Sequence, residues 1–271
     1  MSIDMLHAAC QSSPHVQGAS RMTGVIVTGA GGGIGADTAR LLAERGSGVL
    51  LVDRNGDGVR RTADELAGRG LDVLARPADV TDEAAVAGFV AEARQRWGTL
   101  SGLVNCAATM SSRALTETTL QEWSQVMAVN ATGTFLTCKH AVRAFLEQDS
   151  GGAIVNTSSI SGHVGLPKQP AYCASKGAVV QLSRQIAVDY AQHGIRCNVV
   201  SPGSVETAQL RGYLASQSDP AAAEDQLIAA HPLRRIAEPA EISGVIAFLL
   251  GPEAAFITGA DLPVDGGYTA V

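Results

Sequence analysis

Val25-Ile26-Val27-Thr28-Gly29-Ala30-Gly31-Gly32-Gly33-Ile34-Gly35 is a short apolar run that breaks into glycines and resumes as a helical pattern. An unbroken Val/Ile run suits a strand buried on both faces of a parallel sheet. Ile34, Thr38, Leu41 and Leu42 recur at helical spacing up to Arg45, and Gly46 closes the segment. Glycines between strand and helix let the turn tighten and bring backbone N–H groups near a pyrophosphate at the helix N-terminus. Such a turn alone is weak evidence. Here the strand before, the helix after and a carboxylate, Asp53, ending the next strand supply the context it needs. No Gly-Lys-Ser/Thr follows, so this is not a Walker A loop, and phosphoryl transfer is disfavoured.

Outward from that stretch the alternation continues. Strands are predicted at 49–52, 72–77, 103–104, 153–156, 195–200 and 261–264, with helices at 56–68, 82–96, 119–147, 171–192 and 242–250 between them. Strict alternation implies right-handed crossovers and an α/β, Rossmann-type doubly wound parallel sheet with helices on both faces. No linker or repeat interrupts 22–271, which reads as one domain. Residues 1–21 are polar and unpatterned and read as an N-terminal extension, with Met22 as a natural start. The segment 204–236, with Gly212, Pro220 and Pro232, departs from the rhythm beyond a strand end, where α/β folds place their ligand crevice. It is expected to be either a substrate lid or a plain surface insertion.

The composition narrows the class. Hydrophobic residues make up 46% of the 271 and aromatic ones 4%, so the core must be largely aliphatic. A net charge of −6 argues against a nucleic-acid footprint. No apolar run reaches the length of a membrane span. Five dispersed cysteines (10, 106, 138, 173 and 197) without a Cys-x-x-Cys pair suggest reduced thiols in a cytoplasmic protein. The scattered histidines offer no metal-ligand spacing.

Tyr172 and Lys176 lie four residues apart, on one helix face. An ammonium beside a phenol favours the phenolate and is expected to lower a pKa that starts near 10. Such a phenol exchanges protons near neutral pH. Ser159, thirteen residues earlier, supplies a second hydroxyl. With four Tyr and three Lys in the chain, chance gives a Tyr-x-x-x-Lys roughly 0.04 times. Asp53 can accept hydrogen bonds from adenosine ribose hydroxyls and repel a 2′-phosphate, whereas the adjacent Arg54 could neutralise one. Asp79 is read as either a helix N-terminal residue or an adenine contact. Cys173 has no nucleophile-activating neighbours, and His163 reads as a surface or pocket-wall group.

Together these motifs resemble the short-chain dehydrogenase/reductase family over residues 23–271. Thr28-Gly29-x-x-x-Gly33-x-Gly35 matches its cofactor motif, with Gly31, Gly32 and Ile34 in the same turn, and Asp79-Val80 matches its adenine-side pair. Ser159, Tyr172 and Lys176 match the catalytic residues, and Asn130 the active-site Asn. Pro202-Gly203-x-Val205-x-Thr207 matches the segment beside the nicotinamide, and Val264-Asp265-Gly266-Gly267 the C-terminal signature. The family's Asn-Asn-Ala-Gly appears as Asn105-Cys106-Ala107-Ala108. Cys106 there loses an amide that ties strands together, so altered packing is expected.

The resemblance implies an oxidoreductase interconverting a secondary alcohol and a ketone. Tyr172 would be general acid and base, Ser159 would bind the substrate oxygen, and Lys176 would also bind the nicotinamide ribose. Asn130 would hold a water, and Asn105 and Ala107 would flank the cofactor. NAD is the expected cofactor, with an NADPH-dependent carbonyl or 3-oxoacyl-type reductase as the alternative. A dinucleotide-sensing regulator is disfavoured because it needs no Ser, Tyr and Lys together. Met110, Ser161, Gln169, Leu210 and Tyr213 are expected to wall a pocket for a small-molecule substrate. The resemblance also implies a homotetramer, with Phe135, Leu136, Val142, Phe145, Val179, Val180, Leu182 and Ile186 as the apolar surplus on its helices.

Overall fold

The computed structural model describes residues 23–270, and the expected extension at 1–21 with its start at Met22 lies outside them. Seven parallel strands form one sheet: β1 (Gly24–Thr28), β2 (Gly48–Asp53), β3 (Val73–Pro77), β4 (Leu100–Asn105), β5 (Gly152–Thr157), β6 (Ile195–Pro202) and β7 (Asp261–Val264). Their order is β3-β2-β1-β4-β5-β6-β7. The chain winds outward from β1 to β3 and then restarts on the other side of β1 at β4. That reversal leaves a crevice at the carboxyl ends of β1 and β4.

The helices are α1 (Gly33–Glu44), α2 (Gly56–Gly68), α3 (Glu83–Trp97), α4 (Leu120–Met127), α5 (Thr134–Gln148), α6 (Pro170–Tyr190), α7 (Ala208–Ala215), α8 (Pro220–Ala230) and α9 (Pro239–Leu250). Their starts follow local chemistry. Asn55 and Asp82 cap α2 and α3, Thr119 and Glu122 form a capping box on α4, and Pro170 and Pro220 open α6 and α8. Asp82, rather than Asp79, is thus the residue at the N-terminus of α3. The single helix expected over 119–147 is α4 and α5 joined by a π turn, Ala128–Gly133. Among the described residues no helix is long and apolar enough to cross a membrane.

Alternation along each strand splits the core into two layers. Val25 and Val27, with Val49 and Leu51, pack with Leu42, Val59, Ile242 and Ile246 of α1, α2 and α9. Ile26, Leu50, Leu103 and Ile154 face the other way, against Phe89, Trp97, Phe145 and Ile186 of α3, α5 and α6. The aliphatic core expected from composition therefore carries its few large aromatics on one side only. Packing also corrects the surplus expected on the helices: Leu136, Val142, Phe145, Val179, Val180 and Ile186 are inside the protein, and Leu182 packs against the same layer. Of that set, Phe135 is exposed.

Arg196 on β6 secures the end of α9. Its guanidinium donates to the carbonyls of Leu249 (2.7 Å), Leu250 (3.1 Å) and Gly251 (3.2 Å), which a helix C-terminus otherwise leaves unpaired. Arg196→Met keeps the stem and strands these acceptors. It should lower unfolding free energy by roughly 2–3 kcal/mol, the scale of hydrogen bonds to a charged group. Urea titration reads this directly, and an unchanged midpoint contradicts it.

Candidate active site

The Gly-rich turn shapes one end of the crevice. A Cβ at Gly35 would stand 2.2 Å from the Gly29 carbonyl oxygen, and one at Gly29 (φ +69°) would stand 2.7 Å from the Ala107 nitrogen. These two glycines keep the turn tight. At Gly32 a Cβ would meet nothing within 4 Å, so that side of the turn is open. Gly32 is also the N-cap of α1, whose first turn has no side-chain cap and no acidic residue. The result is a backbone cradle with positive partial charge, which fits a pyrophosphate. Asp53 is fixed at its rim, where Oδ2 accepts from the Gly31 N–H (2.9 Å) and Oδ1 from the Asn55 N–H (2.8 Å). Arg54 is exposed beside it. Asp79 accepts from the backbone and hydroxyl of Thr81, holding the β3–α3 turn.

From this cradle one cavity of about 820 Å³ runs across the ends of β1, β4, β5 and β6. Every glycine of the turn lines it, as do Ile34, Asp53, Arg54, Asp79, Val80, Ala107, Pro202, Gly203, Val205 and Thr207. Met110, Ser161, Gln169, Leu210 and Tyr213 also line it.

Ser159, Tyr172 and Lys176 meet at the cavity floor. Lys176, 3% exposed, donates from Nζ to the Thr157 carbonyl (2.8 Å), with Nζ 5.6 Å from the centre of the Tyr172 ring. Burial lowers the Lys176 pKa to about 8, with an opposing pull from the Cys106 thiol. Burial pushes the Tyr172 phenol up to about 12, and Ser159 and Gln209 pull it back in part. This departs from the sequence expectation of a phenol lowered by Lys176. The Lys176 ammonium is engaged by the Thr157 carbonyl instead, and desolvation is the largest influence on the phenol. Ser159 caps a 3₁₀ turn (Ile160–Gly162), its Oγ accepting from the Ser161 N–H at 3.2 Å. The turn is tied to α6 by Ser158, whose hydroxyl donates to the Lys176 carbonyl at 3.0 Å.

Two expected contacts lie elsewhere. Asn105 is buried under the cavity, off its wall: its Oδ1 accepts from Thr28 and Thr137, and its Nδ2 donates to Asn156 (2.9 Å). Asn130 is also buried, in the π turn behind α6. Its Oδ1 accepts from the Thr109 N–H, and its Nδ2 donates to the Thr109 carbonyl and to Ser175, which bonds the Tyr172 carbonyl. Both side-chain N–H donors are thus used by protein. Cys106 faces Thr157 (Sγ···Oγ1 3.3 Å), a weak strand-to-strand contact where the family's amide would be.

Sequence reasoning missed Gln209, His231 and the Thr157 carbonyl. A backbone acceptor leaves no trace in residue type, and both side chains act from the irregular segment. His231, buried at the end of α8, donates from Nδ1 to the Leu227 carbonyl (2.6 Å) and accepts at Nε2 from the Ser204 N–H (3.1 Å). It binds the end of that segment to the strand exit at Pro202-Gly203. Residues of α7 and α8, among them Gln209, Tyr213, Gln226 and Leu227, wall the cavity.

The family description "Enoyl-(Acyl carrier protein) reductase" matches residues 29–269. The "Inactive 2-(S)-hydroxypropyl-CoM dehydrogenase 2" of Xanthobacter autotrophicus is 42% identical over 233 residues, 86% of this chain and all of that one. The "Cis-4-hydroxycyclohexanecarboxylate dehydrogenase" of Sinomonas cyclohexanicum is 42% identical over 249 residues, 91% of this chain and 96% of that one. The crystal structure of levodione reductase superposes with a TM-score of 0.88 at 33% identity, covering 93% of this chain and all of the other. This chain belongs to the short-chain dehydrogenase/reductase family, oxidoreductases acting on CH–OH groups through a nicotinamide dinucleotide.

Proposed function

We propose that the protein interconverts an alicyclic secondary alcohol and its ketone with NAD(H), using Ser159, Tyr172 and Lys176. The observation that carries this reading is their convergence on the cavity that the glycine cradle also lines. The ring substrate is supported by the 42%-identical relative named for a hydroxycyclohexanecarboxylate. The first relative described is named inactive; the Ser–Tyr–Lys set is complete in this chain.

The cradle and Asp53 would hold the dinucleotide, which supplies the hydride chemistry and, when oxidised, a positive charge near the phenol. Ser159 Oγ donates to the substrate oxygen and stabilises charge developing there. Tyr172 Oη gives its proton to that oxygen during ketone reduction and takes it back during alcohol oxidation. Its raised pKa keeps the phenol protonated at neutral pH, the form reduction needs. Lys176 orients the pair and binds ribose hydroxyls. Asn130 acts through Ser175 on the helix that carries Tyr172. The α7–α8 segment closes over the substrate side as a lid, and the free cysteines among the described residues suit a cytoplasmic setting.

Tyr172→Phe deletes only the hydroxyl. Turnover should fall by about two to four orders of magnitude with folding intact, the scale for losing a general acid–base group. A panel of cyclic alcohols and ketones followed at the nicotinamide absorbance checks this, and near-normal turnover in the variant contradicts it.

The choice of NAD over NADP rests on Asp53. At about 4 Å and an effective dielectric near 20, each like-charge pair costs up to about 4 kcal/mol. Exposure to solvent and Arg54 reduce that cost. A residual of about 2.8 kcal/mol is still about a hundredfold preference. Asp53→Asn keeps an acceptor for the Gly31 N–H and removes the charge, so it should narrow the gap in kcat/KM between NAD and NADP. Equal use of both by the unmodified enzyme makes Arg54 the deciding residue.

Assembly into a tetramer is supported by apolar side chains left exposed along α4, α5 and α6: Leu120, Trp123, Phe135, Leu146 and Val188. Light scattering at micromolar concentration should give about four chain masses, and a monomeric mass contradicts it.

A further inference from the structure

Asp261, the first residue of β7, carries a carboxylate that is 4% exposed. Its Oδ1 accepts from the Ser201 hydroxyl at 2.6 Å, while its Oδ2 is buried with no aligned hydrogen-bond donor. What faces Oδ2 is the imidazole of His163, with Nε2 at 2.9 Å and the same nitrogen 3.2 Å from Ser201 Oγ. The imidazole thus lies against both the carboxylate and the hydroxyl that bonds it. A buried carboxylate needs such a partner. Among the described residues His163 is the only basic side chain within 4 Å of the Asp261 carboxylate.

His163 stands at the end of the 3₁₀ turn that begins at Ser159, and its N–H donates to the Ile160 carbonyl at 2.9 Å. Ring and turn therefore move together. Ser158 ties one side of the turn to α6, and His163 ties the other side to β6 and β7. β6 continues from Ser201 to Pro202, which with Gly203 lines the same cavity as Ser159.

We propose that His163 and Asp261 are positioning residues for the alcohol–ketone reaction, a side-chain brace that sets the Ser159 hydroxyl against the exit of β6. The proposal rests on Ser159 binding the substrate oxygen. It assigns to His163 a role in aiming the Ser159 turn, with no contact to substrate. Errors in aim at a hydrogen-bonding group appear in turnover more than in cofactor affinity.

The test compares His163→Gln, Asp261→Asn and the double variant with the unmodified enzyme, measuring kcat, KM for a cyclic ketone, cofactor Kd and Tm. Each single change should lower kcat about tenfold at a temperature far below Tm, with cofactor Kd within about twofold of normal. The double variant should be no worse than the more impaired single, because the two side chains act as one unit. His163→Ala opens a site that solvent reaches, so added imidazole should restore part of its kcat, and none when Asp261→Asn is also present. Normal kcat in the folded variants, or additive losses in the double, overturns the brace while leaving the proposed reaction intact. No turnover of any alcohol or ketone by the unmodified enzyme overturns both.

Discussion

A row of buried hydrogen bonds crosses the sheet just beneath the active site. The Thr28 hydroxyl donates to Asn105 Oδ1, Asn105 Nδ2 donates to Asn156 Oδ1 (2.9 Å), and Asn156 Nδ2 donates to Ser183 on α6 (2.9 Å). Thr137 on α5 adds a second donor to Asn105. All five side chains are buried. An amide left unpaired there costs the full desolvation of its polar atoms, so the row tolerates only one register among β1, β4 and β5. That register, with Thr28 beside Asn105 and Asn105 beside Asn156, places Gly29, Ala107 and Ser159 around one cavity. The glycine cradle and the Ser159 turn hang from the two ends of the same row.

The fold was largely legible because its signals are local. Val25-Ile26-Val27 and Val49–Val52 read as buried strands from their own residues, and the helix over 56–68 has the predicted limits. Tyr172 and Lys176 needed only their spacing. What escaped depends on where a side chain turns after the chain has folded. Nothing near Asn105 says that its amide points down into the sheet and away from the cavity. The direction of the Tyr172 pKa escaped for a related reason: proximity to Lys176 is written in the sequence, but the extent of burial is not. The reach of α7 and α8 over the cavity likewise comes from tertiary packing that His231 secures.

Site and stability share few residues. Arg196 and the two core layers hold the sheet together, while Lys176 occupies a position where burial works against it. It is a lysine with 3% exposure whose pKa falls to about 8. The framework must supply enough stability to bury it.

The π turn at Ala128–Gly133 makes chain length a functional variable. A π turn takes in more residues than an α turn and absorbs the surplus locally, so α4 and α5 on either side still bury residues of their own. Losing one residue from this stretch would let the helix close to ordinary pitch and keep its hold on the sheet. Asn130 would then swing away from Thr109 and Ser175, the partners that connect it to the helix of Tyr172. A one-residue deletion here would therefore change what lies behind Tyr172 while leaving the flanking helices able to pack.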